Sequence, residues 1–393
     1  MGNIDVFHRT ALAKNMATQI LQSGVGVAAS SGLFLSAPRR TGKSTFLRED
    51  LRPALQVHGA LVLYVDLWAD KKADSGDVIV AAVRSELAKH DGVLLRLARS
   101  AGIDKVAVGG TAFDLSKVGI GSGVSLSAAF GALSDEAKQP IVLIIDEAQH
   151  AITTDNGYDA LFALKAARDE LNSSQHFGLR VVATGSNRDK LAMLRSSKDQ
   201  AFFGAPLVAF PPLGRDYIDW FCQQVQLAGP LDPDKVEALF KRAAFRPEIL
   251  GAAVDGIRFD FSMEAKDVLS KFEESVEQQI AEGESQTLRV IHALTPLQSA
   301  VLRVLAARGE SYAPFEAATM AMYKAALKAI APDDTVSADV PNVQQALVAL
   351  QEKALIWKER RGVYALEESS LADLLQSNGL LDCVVDAQSA PPA

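Results

Sequence analysis

The stretch Leu33–Phe46 reads LFLSAPRRTGKSTF, and its reading decides the fold. Apolar Leu33, Phe34 and Leu35 lead into a loop, then Gly42-Lys43-Ser44-Thr45, then Phe46 and Leu47 at the start of a helical pattern. Strand, loop and helix in that order suit a polyphosphate. Successive loop N–H groups cradle the phosphates, and the helix N-terminus adds partial positive charge. On this reading Ala37, Pro38, Arg39, Arg40, Thr41, Gly42, Lys43, Ser44 and Thr45 form the cradle. Lys43 reaches the outer phosphates as a point charge, and the Ser44 hydroxyl ligates Mg²⁺. The spacing is G-x-x-x-x-G-K-[ST], with Ala37 where the first glycine stands. Alanine tolerates positive φ poorly, so either the loop begins in a conformation that alanine adopts or the site is altered. The plain alternative is an ordinary helix start with a serine cap.

A second stretch, Ile141–His150 (IVLIIDEAQH), decides between them. Five apolar residues make a strand buried on both faces, ending in Asp146-Glu147, where charge is costly unless it has a task. Beside a phosphate loop that aspartate holds Mg²⁺, and the glutamate polarises the attacking water. His150 reads as a strand-end residue rather than a base.

The chain has 393 residues, enough for two or three domains. Its 48% hydrophobic and 22% charged content is that of an ordinary globular protein. No apolar run reaches the roughly 18 residues that a membrane span needs. The start of the chain has no signal-peptide core, and a cytoplasmic address is expected. Cys222 and Cys383 read as reduced thiols, without the spacing of a metal site. A net charge of −8 argues against a broad nucleic-acid surface, though not against one local basic patch.

In chain order, residues 5–23 have a helical pattern, with His8 and Arg9 before it as candidate base-pocket residues or a solvated helix start. A helix from Ser44 to about Val57 precedes a strand at Ala60–Leu67. Residues 75–100 read as two helices. Val106–Leu126 is Gly-rich and alternates like a hairpin insertion. After the Asp146-Glu147 strand come a helix at Tyr158–Ser173 and a strand at Gly178–Gly185. That strand ends in Ser186-Asn187, either of which can orient water or sense the terminal phosphate. A helix cap is the bland alternative. Leu207–Phe210 is a fifth strand. From there the pattern is helical: Asp216–Gln226, Pro233–Ala244, Arg246–Ile257 and Ser262–Ile280. The expected fold class is therefore α/β, a P-loop parallel sheet between helices followed by a helical lid. Residues 281–287 (AEGESQT) read as a polar linker. Beyond it, helices at Leu294–Ala307, Phe315–Ile330 and Val343–Lys353 precede strands at Ala354–Arg360 and Val363–Glu367, a winged-helix pattern. The expected domains are 1–212, 213–285 and 286–380, with a disordered tail at 381–393.

The chain resembles the AAA+ class of P-loop ATPases, and within it the archaeal-type, STAND-related and origin-recognition-initiator group. SAPRRTGKST, IVLIIDEAQH, VVATGSN, AFRPEIL and LQEKALIWKERRGVYALE carry the resemblance, which spans roughly residues 5–375. It implies ATP and Mg²⁺ as ligands, Walker A at Ala37–Ser44 and Walker B at Asp146-Glu147. It implies sensor 1 at Ser186-Asn187 and sensor 2 at Arg246. The implied catalytic set is Glu147, Lys43, Asn187 and Arg246, with Ser44 and Asp146 on the metal. Related ATPases often carry a Gly-Arg pair after sensor 1, but here the segment is Phe203-Gly204-Ala205. Without that arginine a slow switch is expected, with Arg188, Arg195 and Arg215 as substitutes.

Two functions follow. One is an ATP-hydrolysing switch that binds DNA through the winged helix, with Lys353, Lys358, Arg360 and Arg361 as contacts. Between 341 and 367 those four bases face Glu352, Glu359 and Glu367, a thin electrostatic footprint. The other is a nucleotide-gated scaffold for a protein partner, as in signalling or defence ATPases. A nucleotide-dependent homo-oligomer fits either.

Overall fold

In the computed structural model the described residues are 6–22, 31–70, 72–90, 92–93, 97, 115–121, 123–173, 176–196, 200–333, 335–360, 362–368, 370–382 and 384, without the side chains of 115, 310, 359 and 360. The chain forms two compact units: Met1–Gln226 with Leu231–Glu248, and Leu227–Pro230 with Ile249–Ala393.

The first unit is built on a five-stranded parallel sheet. Its strands are β1 (Leu33–Ser36), β2 (Leu61–Asp66), β3 (Ile141–Asp146), β4 (Leu179–Gly185) and β5 (Leu207–Ala209), in the spatial order β2-β3-β4-β1-β5. Strand alternation divides the core in two. Ile141, Leu143 and Ile145 join one apolar cluster with Val181, Ala183, Leu63 and Val65. Val142 and Ile144 join the other with Val182, Val62 and Leu35. Both faces are thus covered, as a parallel sheet requires. Helix α1 (Thr10–Leu21) and helix α2 (43–57) fill the second face with Ala13, Ala17, Phe46, Leu47, Leu51 and Leu55. The middle of α2, Phe46–Leu51, is π-wound. Helices α3 (Ser75–Leu87), α4 (Leu126–Ala137) and α5 (Asp155–Ser173) cover the first face.

Helix α4 was not anticipated from sequence. Its composition is rich in Ala, Ser and Gly, but Ser125 caps it by accepting from Ala128 N–H at 3.2 Å, and Phe130 and Leu133 are buried beneath it. The hairpin expected over Val106–Leu126 lies largely outside the described residues. Its described end has a short 3₁₀ turn at Leu115–Lys117 and a bridge between Val118 and Val124.

After β5 the chain is helical, with α6 (Arg188–Met193) before it and α7 (Arg215–Gln224), α8 (Pro233–Arg242) and α9 (Pro247–Arg258) beyond. The polar linker at 281–287 is corrected: α10 runs unbroken over Val268–His292. Glu282, Glu284 and Gln286 are good helix formers. Gln278 donates to Glu282 at 2.8 Å one turn on, and the run is simply the solvated side of a long helix.

In the second unit, α11 (Pro296–Arg308) opens with a capping box between Thr295 and Gln298. With α12 (Ala317–Ile330) and α13 (Val340–Glu352) it encloses an apolar core that includes Val301, Leu305, Tyr323, Leu347 and Ile356. Strands β6 (Ile356–Arg360) and β7 (Val363–Leu366) pair antiparallel, and a last helix follows at Ser370–Ser377. Gly362 turns the hairpin at φ 81°. Three helices and a hairpin are thus present as expected. Cys383 and the residues from 385 onward lie outside the described ones. Among the described residues no helix is long and apolar enough to cross a membrane.

Candidate nucleotide site

The carboxyl ends of β1, β3 and β4 converge on one site, as in other open parallel sheets. The same parity that divides the core aims its side chains. Asp146 follows Val142 and Ile144 and so faces α2. Thr184 follows Val182, and Tyr64 follows Val62, onto the same face. The Thr184 hydroxyl donates to Asp146 Oδ1, and the Tyr64 hydroxyl donates to Asp146 Oδ2 at 3.0 Å. Asp146 is 1% exposed, yet it is fully partnered. Lys43, at the first turn of α2 and 5% exposed, brings Nζ to 3.7 Å from Asp146 Oδ1.

Alternation would send Glu147 to the opposite face. Its backbone is left-handed instead (φ 54°, ψ 43°), which turns the carboxylate back to the Lys43 side. That conformation costs an L-residue about 1 kcal/mol, and the contacts offset it. Lys43 Nζ donates to Glu147 Oε1 at 2.7 Å, and the Ser186 hydroxyl donates to Oε2 at 2.8 Å. Gln149 Nε2 also donates to Oε2. Burial alone would raise the Glu147 carboxyl, but the Lys43 charge and these donors hold it down at about 2. His150, stacked 4.3 Å from Trp68, is pushed down to about 4 by burial, with the Lys190 and Arg39 cations adding to that, so it is neutral near pH 7.

The loop resolves the question raised by Ala37. Arg40 (φ 62°) and Gly42 (φ 82°) carry its left-handed backbone; Ala37 does not. Ala37 is buried against the α2 face, and its N–H donates to Gly185 O at 3.1 Å. Thr41 ties the loop internally by donating to Pro38 O at 2.8 Å. Arg39 lies with its guanidinium carbon 5.0 Å from the Trp68 ring centre and its Nε 3.4 Å from Ser186 Oγ.

Of the two strand-tip candidates, Ser186 reaches the carboxylate. Asn187 caps α6, its Oδ1 accepting from Lys190 N–H at 2.9 Å. Arg246 follows two residues in the left-handed region, Ala244 and Phe245, and its Nε is 3.9 Å from Glu248 Oε1. Burial pushes the Glu248 carboxyl up, while Arg246 and the loop's Arg40 both pull against it. Arg9 donates to the carbonyls of Pro211 and Pro212 at 2.8 and 3.2 Å and stacks on Phe210, while its N–H and His8 hold Asp50 of α2. The pair brace the helix behind the loop. Arg215 is bound by Asp219, Asp234 and Glu237, and Arg188 donates to Ser36 Oγ at 3.3 Å. Burial pushes the Cys222 thiol up to about 11.

Tyr64, Thr184, Gln149 and Trp68 were not singled out from sequence. The signal for the first two was parity with Asp146 in otherwise apolar strands.

No protein-family model matches the chain, and no curated protein matches it by sequence. Solved structures do match. A Walker-type ATPase of Pyrococcus abyssi is 15% identical with a TM-score of 0.53, over 95% of this chain and 96% of its own. The ORC2 protein of Aeropyrum pernix in its ADP form is 15% identical with a TM-score of 0.56, over 99% and 97%. The fold is that of an origin-recognition-type AAA+ P-loop ATPase. The same Aeropyrum protein as ADPNP–ADP complexes is again similar, at 16% identity and a TM-score of 0.51 over 98% and 94%. The α/β class expected from the sequence is the one observed.

The donor set suits the ligands that this fold implies. Ser44 and Asp146 are hard oxygen donors, and among the described residues no cluster of three His, Cys, Asp or Glu forms a dedicated metal cage. Mg²⁺ is ordinarily held in this way, by one or two protein oxygens with phosphates and water completing its shell.

Proposed function

We propose that the protein binds ATP with Mg²⁺ and hydrolyses it slowly, as a nucleotide-dependent switch. The observation that carries this is the buried convergence of Lys43, Asp146 and Glu147 at the strand ends, with Ser186 on the glutamate. In this reading the loop from Ala37 to Thr45 holds the phosphates, Lys43 contacts the outer two, and Ser44 and Asp146 hold the metal. Glu147 polarises the attacking water. Ser186 orients Glu147, Asn187 shapes the strand tip, and Arg246 leans onto the phosphates. In this reading a γ-phosphate draws Lys43 Nζ away from Glu147 and frees the carboxylate.

Residues 1–212 form the nucleotide-binding domain in this proposal, 213–285 a lid carrying Arg246, and 286–380 a winged helix that reads out the state. The boundary at 285 falls inside α10, so the last two share a continuous helix. The winged helix engages duplex DNA through Lys353, Lys358, Arg360 and Arg361, of which Lys353 and Lys358 are exposed. A second reading, a protein-interaction scaffold, is favoured by the acidic chain and by Glu352, Glu359 and Glu367 interleaved with those bases. Both readings place the protein in the cytoplasm, with room for nucleotide-dependent self-assembly.

The test is steady-state ATP hydrolysis by the full chain, with and without duplex DNA, at two salt concentrations. Slow turnover stimulated by DNA, with stimulation falling steeply with salt, is the expected result. Turnover indifferent to DNA selects the scaffold, and no turnover with intact Lys43 and Glu147 sinks the ATPase.

A further inference from the structure

In the scheme above the loop holds the phosphates through its backbone N–H groups, which leaves the Arg39 side chain without a role. Arg39 stands in the middle of the phosphate loop, where the residue type is free to vary, and its side chain is exposed. Two contacts place it: the Trp68 ring at 5.0 Å and Ser186 Oγ at 3.4 Å. Ser186 in turn is 2.8 Å from Glu147 Oε2, whose other oxygen is 2.7 Å from Lys43 Nζ. Lys43 therefore contacts Glu147 directly, and Arg39 contacts the Ser186 hydroxyl that holds the other carboxylate oxygen. The aromatic face of Trp68, itself stacked on His150, limits where the guanidinium can swing. An arginine held by an aromatic face and one hydroxyl keeps most of its five donors unspent.

We propose that Arg39 is a catalytic residue acting within its own chain, donating to the γ-phosphoryl oxygens as charge develops there. The inference rests on the ATPase reading. In the step concerned, the water oxygen bonds to the γ-phosphorus while the bond to the β,γ-bridging oxygen breaks. The electron pair leaves on ADP, and the water proton passes to phosphate and solvent. Negative charge spreads over the γ-oxygens and the leaving oxygen, and a planar fork of donors matches those oxygens better than a second ammonium would. A cation supplied this way makes a neighbouring subunit's arginine unnecessary, consistent with Phe203-Gly204-Ala205 lacking one.

The test compares wild type, Arg39→Ala and Arg39→Lys by kcat and KM for ATP, and by calorimetric affinity for ADP with and without aluminium fluoride. Arg39→Ala is expected to lower kcat about 10³-fold, the lower range for an arginine finger. It should leave ADP affinity within threefold and lose the tightening that aluminium fluoride brings. Arg39→Lys should recover less than a tenth of kcat. Mixing Arg39→Ala with Lys43→Ala protein, which keeps Arg39, should restore nothing. Unchanged kcat in Arg39→Ala overturns the proposal, as does recovery on mixing, which would place the arginine in trans. Loss of ADP affinity equal to the loss of kcat also overturns it, by making Arg39 a ground-state binder. If wild type hydrolyses ATP, these failures touch Arg39 alone; if wild type neither binds nor hydrolyses ATP, the ATPase reading fails and this inference with it.

Discussion

The sheet unit and the helix-and-hairpin core of the second unit are both close-packed, but they spend burial differently. At the ends of the sheet strands, Lys43, Asp146, Gln149 and Thr184 are all buried. In the second unit the buried polar side chains among the described residues are Ser299 and Thr319, with a hydroxyl pair between Tyr312 and Tyr323. Its lysines at 353 and 358 stay in solvent. Buried charge is expensive to desolvate, and a buried ion pair is poor evidence of stability. The lesson is that the first unit carries buried charge at its strand ends, where the proposed chemistry lies, whereas the second, among the described residues, buries only apolar side chains and hydroxyls and leaves its lysines in solvent.

The sharpest way to break this comparison is to remove the inner charges. Lys43→Ala should abolish measurable ATP binding and destabilise the sheet unit by about 3–5 kcal/mol, because Asp146 and Glu147 lose their cation. Glu147→Gln should retain ATP affinity yet lose about 10²–10⁴-fold in kcat. Calorimetry, urea denaturation and single-turnover hydrolysis check both; tight ATP binding by Lys43→Ala would refute the loop assignment. Next comes pure packing. Phe130→Ala, at a fully buried position on the inner face of α4, should cost about 3–5 kcal/mol and leave the second unit's unfolding untouched. Smaller again is Tyr323→Phe, which removes one member of the buried hydroxyl pair and should cost about 1–3 kcal/mol with no effect on ATP turnover.

The subtlest test is pH. Glu147 is held near 2 when folded, below the ordinary 4.5, so its stabilisation is complete above about 4.5 and is lost as pH falls towards 2. Urea unfolding between pH 5 and 3 should therefore decline more steeply in wild type than in Glu147→Gln. Equal slopes would show that the Lys43–Glu147 pair contributes nothing to folding.

Several elements were legible in the sequence because their signals are local. Leu33–Phe46 and Ile141–His150 announce strand, loop and charge by composition alone, and both stand where expected. Where a local signal was ambiguous, reading it locally went astray. The run 281–287 is polar because it faces water on a helix, which composition does not distinguish from a linker. Helix α4 hides in small residues whose burial only the packed sheet supplies. Asn187 and Ser186 are equally polar neighbours, and strand direction alone gave no ranking.

What the sequence determined by itself is the strand-loop-helix at Leu33–Phe46, the Asp-Glu strand and the order of strands followed by helices, since each rests on contiguous residues and a fixed period. Tertiary structure decided which side chains meet. Parity across three strands brought Tyr64 and Thr184 to Asp146, and the left-handed backbone at Glu147 turned its carboxylate to Lys43. Packing of one loop against the tips of β2 and β4 set Arg39 between Trp68 and Ser186. Those encounters depend on strand order and register, which are properties of pairing between distant segments, and no local pattern encodes them.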